Sequence, residues 1–215
     1  MTKTVTLALT GASGMAYGIR LLECLLAADV RVYLIYSQAA QVVAKQEMDL
    51  TLPSRTADAE ALFAERFKAQ PGQLRVFGRE EWFAPVASGS NAADAMVILP
   101  CTIGTLAAVA AGMSDNLIER AADVMLKEGR KLVLVPRETP FSAIHLEAML
   151  KLAHAGAIIL PANPGFYHRP QSVAAVVDFI VARVLDQLGV EHSLIKRWGE
   201  SGGQPKKPAS PLGAA

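Results

Sequence analysis

An α/β fold, a parallel sheet flanked by helices in a single domain, is the architecture this sequence predicts, and three observations predict it. Apolar runs of strand length recur along the chain, each followed by a stretch of helical spacing or composition. The runs are unbroken in Val, Ile and Leu instead of alternating apolar with polar, which suits strands buried on both faces. Glycine, serine and threonine gather just beyond the runs, and in such sheets ligands bind beyond the carboxyl ends of the strands.

Taken in order, the first strand is "TVTLALT" at 4–10, closed by "TGASGMAYG", whose glycines 11, 14 and 18 open the helix "MAYGIRLLECLLAA". The second strand, "VRVYLIYS" at 30–37, ends with Ser37 at the expected N-cap of the next helix. Residues 50–80 are less regular: "RTADAEALFAERFKA" has helical spacing, and "PGQLRVFGREEWF" reads as turns and a short strand. A Ser/Gly loop, "ASGSNAAD" at 87–94, could reach a ligand and leads into the strand "AMVILP" at 95–100. "KLVLVP" at 131–136 and "GAIILP" at 156–161 complete the strands. The last helix, "SVAAVVDFIVARVL", is so apolar that it is expected to need cover on nearly every side, some of it from other copies of the chain. From Glu200 the sequence is rich in Gly, Pro, Lys and Ser without apolar period, so a domain over 1–199 and a flexible tail over 200–215 are expected.

Composition bounds the function. A chain of 215 residues with 52% hydrophobic and 19% charged residues and a mean hydropathy of +0.28 is long enough for one sizeable core. Twenty-one basic residues against twenty acidic ones leave a net charge of +1, with no basic run beyond "PKKP", so a nucleic-acid partner is not expected. The apolar start is too quickly broken by glycines for a secretory signal, and the last helix carries Asp178 and Arg183 and falls short of a membrane span. The expected location is cytoplasmic. Cys24 and Cys101 make neither a disulfide framework nor a metal-site spacing, and no metal is expected.

The strand ends hold the candidate chemistry. The first glycine turn can bring backbone N–H groups, with the Ser13 hydroxyl, up to a phosphate, or it can be a tight turn with no ligand. Its spacing is not G-x-G-x-x-G, and no acid follows the second strand to hold an adenosine ribose, so a mononucleotide suits it better than NAD. "LPCTIGTLAAVAAG" places Thr102, Gly104 and Thr105 at a helix start, a second polar cradle or an ordinary N-cap. Cys101 beside them, with no nearby histidine in sequence, reads as a small buried residue. The strand "LVLVP" ends abruptly in Arg137 and Glu138.

The stretches "TGASGMAYGIRLL", "SGS", "ILPCTIGTLAAVAAG", "NLIERAADVMLKE", "LVLVPRETPFSAIHLEAM" and "PANPGFYHRPQS" together resemble the flavin prenyltransferase family, the UbiX-like proteins, over residues 4–198. The resemblance implies a flavodoxin-like, Rossmann-like fold, a homododecamer, and transfer of a dimethylallyl group from dimethylallyl phosphate to reduced FMN. The prenylated FMN would serve UbiD-type decarboxylases in ubiquinone biosynthesis. FMN contacts would fall on Gly11, Ala12, Ser13, Ser37, Thr102, Ile103, Gly104, Thr105 and Arg137. The prenyl phosphate would lie among Arg120, Lys127, Tyr167 and Arg183, with Glu47 and Glu138 as carboxylates, Ser13 beside them, and Trp82 along the prenyl chain. In the implied reaction, flavin N5 bonds to C1 of the allyl group as phosphate leaves, and a bond from C6 to C3 closes a ring.

Each of these residues has a plainer reading. Asp123 with Lys127 and Arg183 with Gln187 are spaced as helix-surface pairs, Glu47 as helix surface, Trp82 as core or interface. Two other activities compete. An FMN-dependent decarboxylase of the cysteine type would need a catalytic histidine and a clamp P-x-M-N-x-x-M, where this chain has "PANPGFY". A non-catalytic flavin carrier would need the cradle alone.

Overall fold

The structure, a computed structural model, describes residues 2–196. Six strands, β1 (Thr4–Leu9), β2 (Arg31–Tyr36), β3 (Leu74–Phe77), β4 (Ala95–Cys101), β5 (Lys131–Pro136) and β6 (Ile158–Ile159), form one sheet. Their order is β3-β2-β1-β4-β5-β6 and every neighbouring pair is parallel. The chain starts at the middle, steps outward through β2 to β3, then crosses back to place β4 on the other side of β1. The order therefore reverses between β1 and β4, the place where ligands bind in sheets of this kind.

That reversal also decides which face each helix covers, because right-handed crossovers running in opposite directions put their helices on opposite faces. The helices α1 (Met15–Ala27), α2 (Gln38–Met48), α3 (Thr56–Phe67) and α7 (Val173–Leu188) share one core with Leu7, Leu9, Leu34, Val97 and Val133. On the other face α4 (Ile103–Ala110), α5 (Leu117–Lys127) and α6 (Ala143–His154) pack with Ala8, Ile35, Met96, Ile98 and Leu134. Adjacent residues of one strand thus serve two cores, which is why the strands read as unbroken apolar runs. Within α1 the buried Met15, Ile19, Leu22 and Leu26 follow the helical period, each worth roughly 1.5–3 kcal/mol of apolar burial. Gly18 lets this helix sit close to the sheet: a Cβ there would stand 2.5 Å from both Leu9 Cδ2 and the Leu99 carbonyl oxygen.

Three expectations are refined. The short strand expected near "QLRVF" is β3, a full member of the sheet paired with β2, whereas the last strand keeps only two residues. The loop 87–94 ends away from the strand-end rim. It runs along α5 to the opposite edge, where the Asp94 amide donates to the Thr4 carbonyl at 2.9 Å and Arg130 Nη1 to those of Ala92 and Ala93 at 2.8 and 2.9 Å. A parallel sheet imposes this, since the chain must travel the length of the sheet before starting β4.

The last helix is covered on one side by its own chain. Its Val177, Ile180, Val181, Val184, Leu185 and Leu188 are buried within the chain, packed with α1 in one core. Among the described residues the large apolar side chains left exposed include Val173 at the start of α7, Ile144, Leu146 and Leu150 on α6, and Phe83 and Phe166. Among the described residues no helix is long and apolar enough to cross a membrane. The tail expected from Glu200 lies outside the described residues.

Candidate active site

The rim above β1, β2, β4 and β5 is laced together by the polar residues that end the strands. Thr10, almost fully buried at the end of β1, donates from Oγ1 to the Pro100 carbonyl at 2.7 Å and accepts from the Thr102 amide at 2.8 Å. Across the rim the Ser37 amide donates to the Leu9 carbonyl at 3.0 Å, and the Arg137 amide to that of Cys101 at 3.4 Å. Ser37 caps α2 by accepting from the Ala40 amide at 3.1 Å, and Thr102 caps α4 by accepting from the Thr105 amide at 3.1 Å. The Thr102 and Thr105 hydroxyls are themselves 2.9 Å apart. The expected cradle of Gly11, Ala12, Ser13, Ser37, Thr102, Ile103, Gly104 and Thr105 is thus held by three consecutive strand-end loops of one chain. Thr10, which ties two of them, was not singled out in the sequence; its signal is a lone hydroxyl ending an apolar strand.

Glycine does specific work in the first loop. A Cβ on Gly11 would meet the Ala39 Cβ at 2.4 Å, so the turn can approach the start of α2 only without a side chain. Gly14 has φ 109, in the left-handed region. Its amide, however, is already engaged. The Glu47 carboxylate, on the last turn of α2, accepts from the Gly14 amide at 3.1 and 3.0 Å and from the Met15 amide at 2.8 Å. An incoming anion therefore meets a helix N-terminus already neutralised by a carboxylate, and a phosphate is left the rest of the rim. Partial burial pushes the Glu47 carboxyl upward, but the Ser13 hydroxyl, the two amides and the Arg137 charge outweigh it and hold it below the usual carboxylate range. Glu47 is no idle surface residue.

Beyond β5 the charged pair divides its roles. Arg137 is half-buried, and its Nε has no hydrogen-bond partner among the described residues. An unpaired guanidinium N–H suits an acceptor on a bound ligand, and flavin or phosphate oxygens fit it. Glu138, also half-buried, accepts from the Thr139 amide at 3.0 Å, which keeps its carboxylate at the rim. Cys101 is fully buried and its thiol is pushed up to about 12 by desolvation, the state of an inert core residue and not of a nucleophile.

The residues expected at the prenyl phosphate are arranged otherwise. Arg120 and Lys127 lie seven residues apart on one face of α5, beside the 87–91 loop: Arg120 Nε donates to the Ala87 carbonyl at 3.0 Å, and Glu128, which pairs with Lys127, sits over Gly89. Arg120 also bonds Asp123 at 2.9 Å. Arg183 projects from α7 on the other side of the sheet and pairs with Asp186 at 2.7 Å. Tyr167 is largely exposed in the loop before α7, a loop pinned by His168 stacked on Phe179 with ring centroids 5.4 Å apart. Trp82 is half exposed in the turn after β3. One chain brings Arg120 and Lys127 together and keeps Arg183 a whole sheet away.

A family model described as Flavoprotein matches residues 1–185. The flavin prenyltransferase UbiX of Pseudomonas aeruginosa is 58% identical over 196 residues, which cover 91% of this chain and 94% of that protein. The chain belongs to the UbiX flavin prenyltransferase family. A solved UbiX structure, AnUbiX in complex with FMN and dimethylallyl pyrophosphate, superimposes on this UbiX-family chain with a TM-score of 0.83 at 39% identity, covering 95% of this chain and 100% of that one. A dodecameric FMN-dependent UbiX-like decarboxylase from Escherichia coli gives a TM-score of 0.80 at 40% identity, with 91% and 98% covered. The fold of this UbiX-family chain is accordingly shared with these solved relatives over 95% and 91% of its length.

Proposed function

We propose that this chain is a flavin prenyltransferase, joining the dimethylallyl group of dimethylallyl phosphate to N5 and C6 of reduced FMN. The observation that carries the reading is the presence of two separate sets of groups on a UbiX-family chain. One is a flavin cradle beside Arg137, whose buried Nε is left without a hydrogen-bond partner among the described residues; the other is a cationic set, Arg120, Lys127 and Arg183, that a flavin carrier would not need.

Gly11, Ala12, Ser13, Ser37, Ile103, Gly104 and the Thr102–Thr105 hydroxyl pair would hold the FMN, with Arg137 donating to its oxygens. Reduced FMN supplies the electron-rich nitrogen and carbon that the allyl group joins. Glu138 holds or delivers a proton at the rim, and Glu47, with Ser13, keeps the first loop in shape beside it. Arg120, Lys127, Arg183 and the Tyr167 hydroxyl would neutralise the departing phosphate, while Trp82 faces the allylic charge with its ring. Because α5 and α7 lie on opposite faces, a phosphate using all of these is held by more than one chain, in a dodecamer like that of the Escherichia coli relative. The uncovered face of α6 suits such contacts.

The monophosphate is the proposed donor, although the related AnUbiX structure holds the diphosphate. The reading rests on Arg120, Lys127, Arg183 and the Tyr167 hydroxyl as partners enough for one phosphate. The product would pass to a UbiD-type decarboxylase, and the work would be cytoplasmic.

Anaerobic incubation with reduced FMN and each prenyl donor, with and without EDTA, followed by the mass of the released flavin, tests the reading. The expected flavin is heavier by one isoprene unit, formed from the monophosphate despite EDTA. Unaltered flavin, bound and released, would leave a carrier. The decarboxylase reading has the name of the Escherichia coli relative in its favour, but the chain has "PANPGFY" where the cysteine-type clamp P-x-M-N-x-x-M would stand. His145 caps α6, His168 stacks on Phe179, His192 pairs with Asp186, and His154 lies in the last turn of α6.

A further inference from the structure

We propose that Asp186, braced by His192, is a positioning residue that orients the Arg183 guanidinium toward the phosphate of the prenyl donor. The proposal rests on the reading that Arg183 takes that phosphate, and it names what aims it.

The local sequence builds the arrangement. Gly189 ends α7 in the left-handed conformation with φ 63, its amide donating to the Asp186 carbonyl at 3.1 Å and the Val190 amide to that of Leu185 at 3.0 Å. These two bonds are the glycine-dependent closure of a helix in which the residue after the glycine turns back onto the last turn. Val190 is thereby buried and the chain is led back past Asp186, which brings His192 against it.

The two oxygens of the Asp186 carboxylate are then divided. Oδ2 accepts from Arg183 Nη1 at 2.7 Å, and Oδ1 lies 3.2 Å from His192 Nε2. A carboxylate only accepts, so Nε2 is the nitrogen that carries the proton. The three side chains form a gradient of burial: His192 is 7% exposed, Asp186 26% and Arg183 49%. This gradient sets the trio apart from an ordinary pair three residues apart on a helix, whose charged groups exchange freely with water. A buried imidazole fixes the carboxylate, and the carboxylate fixes one nitrogen of the guanidinium.

Arginine is suited to being held this way. Its planar fork has five donors, and engaging Nη1 leaves Nη2 and Nε to meet phosphate oxygens without searching rotamers. Asp186 also brings negative charge near that phosphate. Orientation and repulsion oppose each other, and the proposal is that orientation wins.

Steady-state kinetics of the full-length oligomer decide it, measuring KM for dimethylallyl phosphate, kcat, and the Kd for FMN. Asp186→Asn is expected to raise the KM about 3- to 10-fold with kcat and FMN affinity little changed. His192→Leu should move the KM the same way, and His192→Gln, which can keep the donor, should restore it. Arg183→Ala should raise the KM further, and Asp186→Asn should raise it no more on the Arg183→Ala background, where only the repulsion by Asp186 is left to lose. An unchanged or lower KM for Asp186→Asn, or an additional loss on the Arg183→Ala background, would overturn the proposal. If Arg183→Ala itself left the KM unchanged, the phosphate role and the proposal would fall together, while the mass of the released flavin would still report separately on prenyl transfer.

Discussion

The strand-end rim and the phosphate-directed cations are built by opposite strategies. At the rim, Thr10, Ser37, Thr102 and Arg137 come from four strands far apart in the chain, yet neighbouring strands bring them within hydrogen-bond range of one another's loops. The cations instead lie on helices of two layers, each tied to a local acid: Arg120 to Asp123, Lys127 to Glu128, Arg183 to Asp186. A parallel sheet gathers whatever ends its strands, whereas helices on opposite faces gather nothing. A chain of this fold therefore brings the expected flavin contacts together by itself, but leaves α5 and α7 on opposite faces of its sheet.

The largest expected effect separates chemistry from binding within the rim. Glu138→Gln should keep FMN affinity and lower kcat by about 10²- to 10³-fold, whereas Arg137→Ala should weaken FMN binding as well. A Glu138→Gln protein that turns over at the wild-type rate would remove the proton role.

Next in size is a mixing experiment aimed at the second region. Lys127→Ala and Arg183→Ala should each lower activity roughly 10-fold or more, as loss of a charged hydrogen-bond partner does. Oligomers reassembled from equal amounts of the two variants should recover on the order of a quarter of the wild-type rate, the statistical share of sites drawing an intact residue from each of two chains. No recovery would mean that both residues serve from one chain, and the comparison would break.

Packing beneath the rim offers a smaller effect. Gly18→Val pushes a side chain into Leu9 and the Leu99 carbonyl, and should cost about 1–3 kcal/mol of stability by overpacking, read as a lower melting temperature. An unchanged melting temperature would show that α1 is free to withdraw from the sheet.

The smallest expected effect concerns Glu47. Its folded pKa is depressed, so the clamp it forms on α1 contributes fully above the usual carboxylate range and is lost as the pH falls through the folded value. Wild type should exceed Glu47→Gln at neutral pH by about 0.5 kcal/mol, modest because the carboxylate is exposed, and the gap should close in acid. Melting curves across pH give the answer. A gap unchanged by acid would mean that shape, not charge, makes the clamp.

Much of this was legible in one dimension and some was not. The strands showed because burial on both faces leaves unbroken apolar runs, and Ser37 and Thr102 showed because N-caps select hydroxyl side chains. Glu47 read as ordinary helix surface because its partners, the amides of Gly14 and Met15, lie more than thirty residues earlier and belong to the backbone. The path of the loop at 87–94 was not legible, because a Ser/Gly composition marks a loop without saying that Ala87 and Gly89 lie beside α5 while Asp94 reaches the opposite edge.

By itself, then, the sequence determined the alternation of strand and helix, the polar residues that end each strand, and, through its motifs, the family. Those are local quantities, set by burial period, capping and turn chemistry within a few residues. Only the tertiary structure decided that α5 and α7 lie on opposite faces, that Glu47 closes the start of α1, and that His192 returns to Asp186. Each of these depends on the order of strands in the sheet or on the path taken after a helix ends. Strand order changes no residue's own preference, so it leaves no periodicity to read; it becomes visible only when the hand of the crossovers turns it into a choice of face.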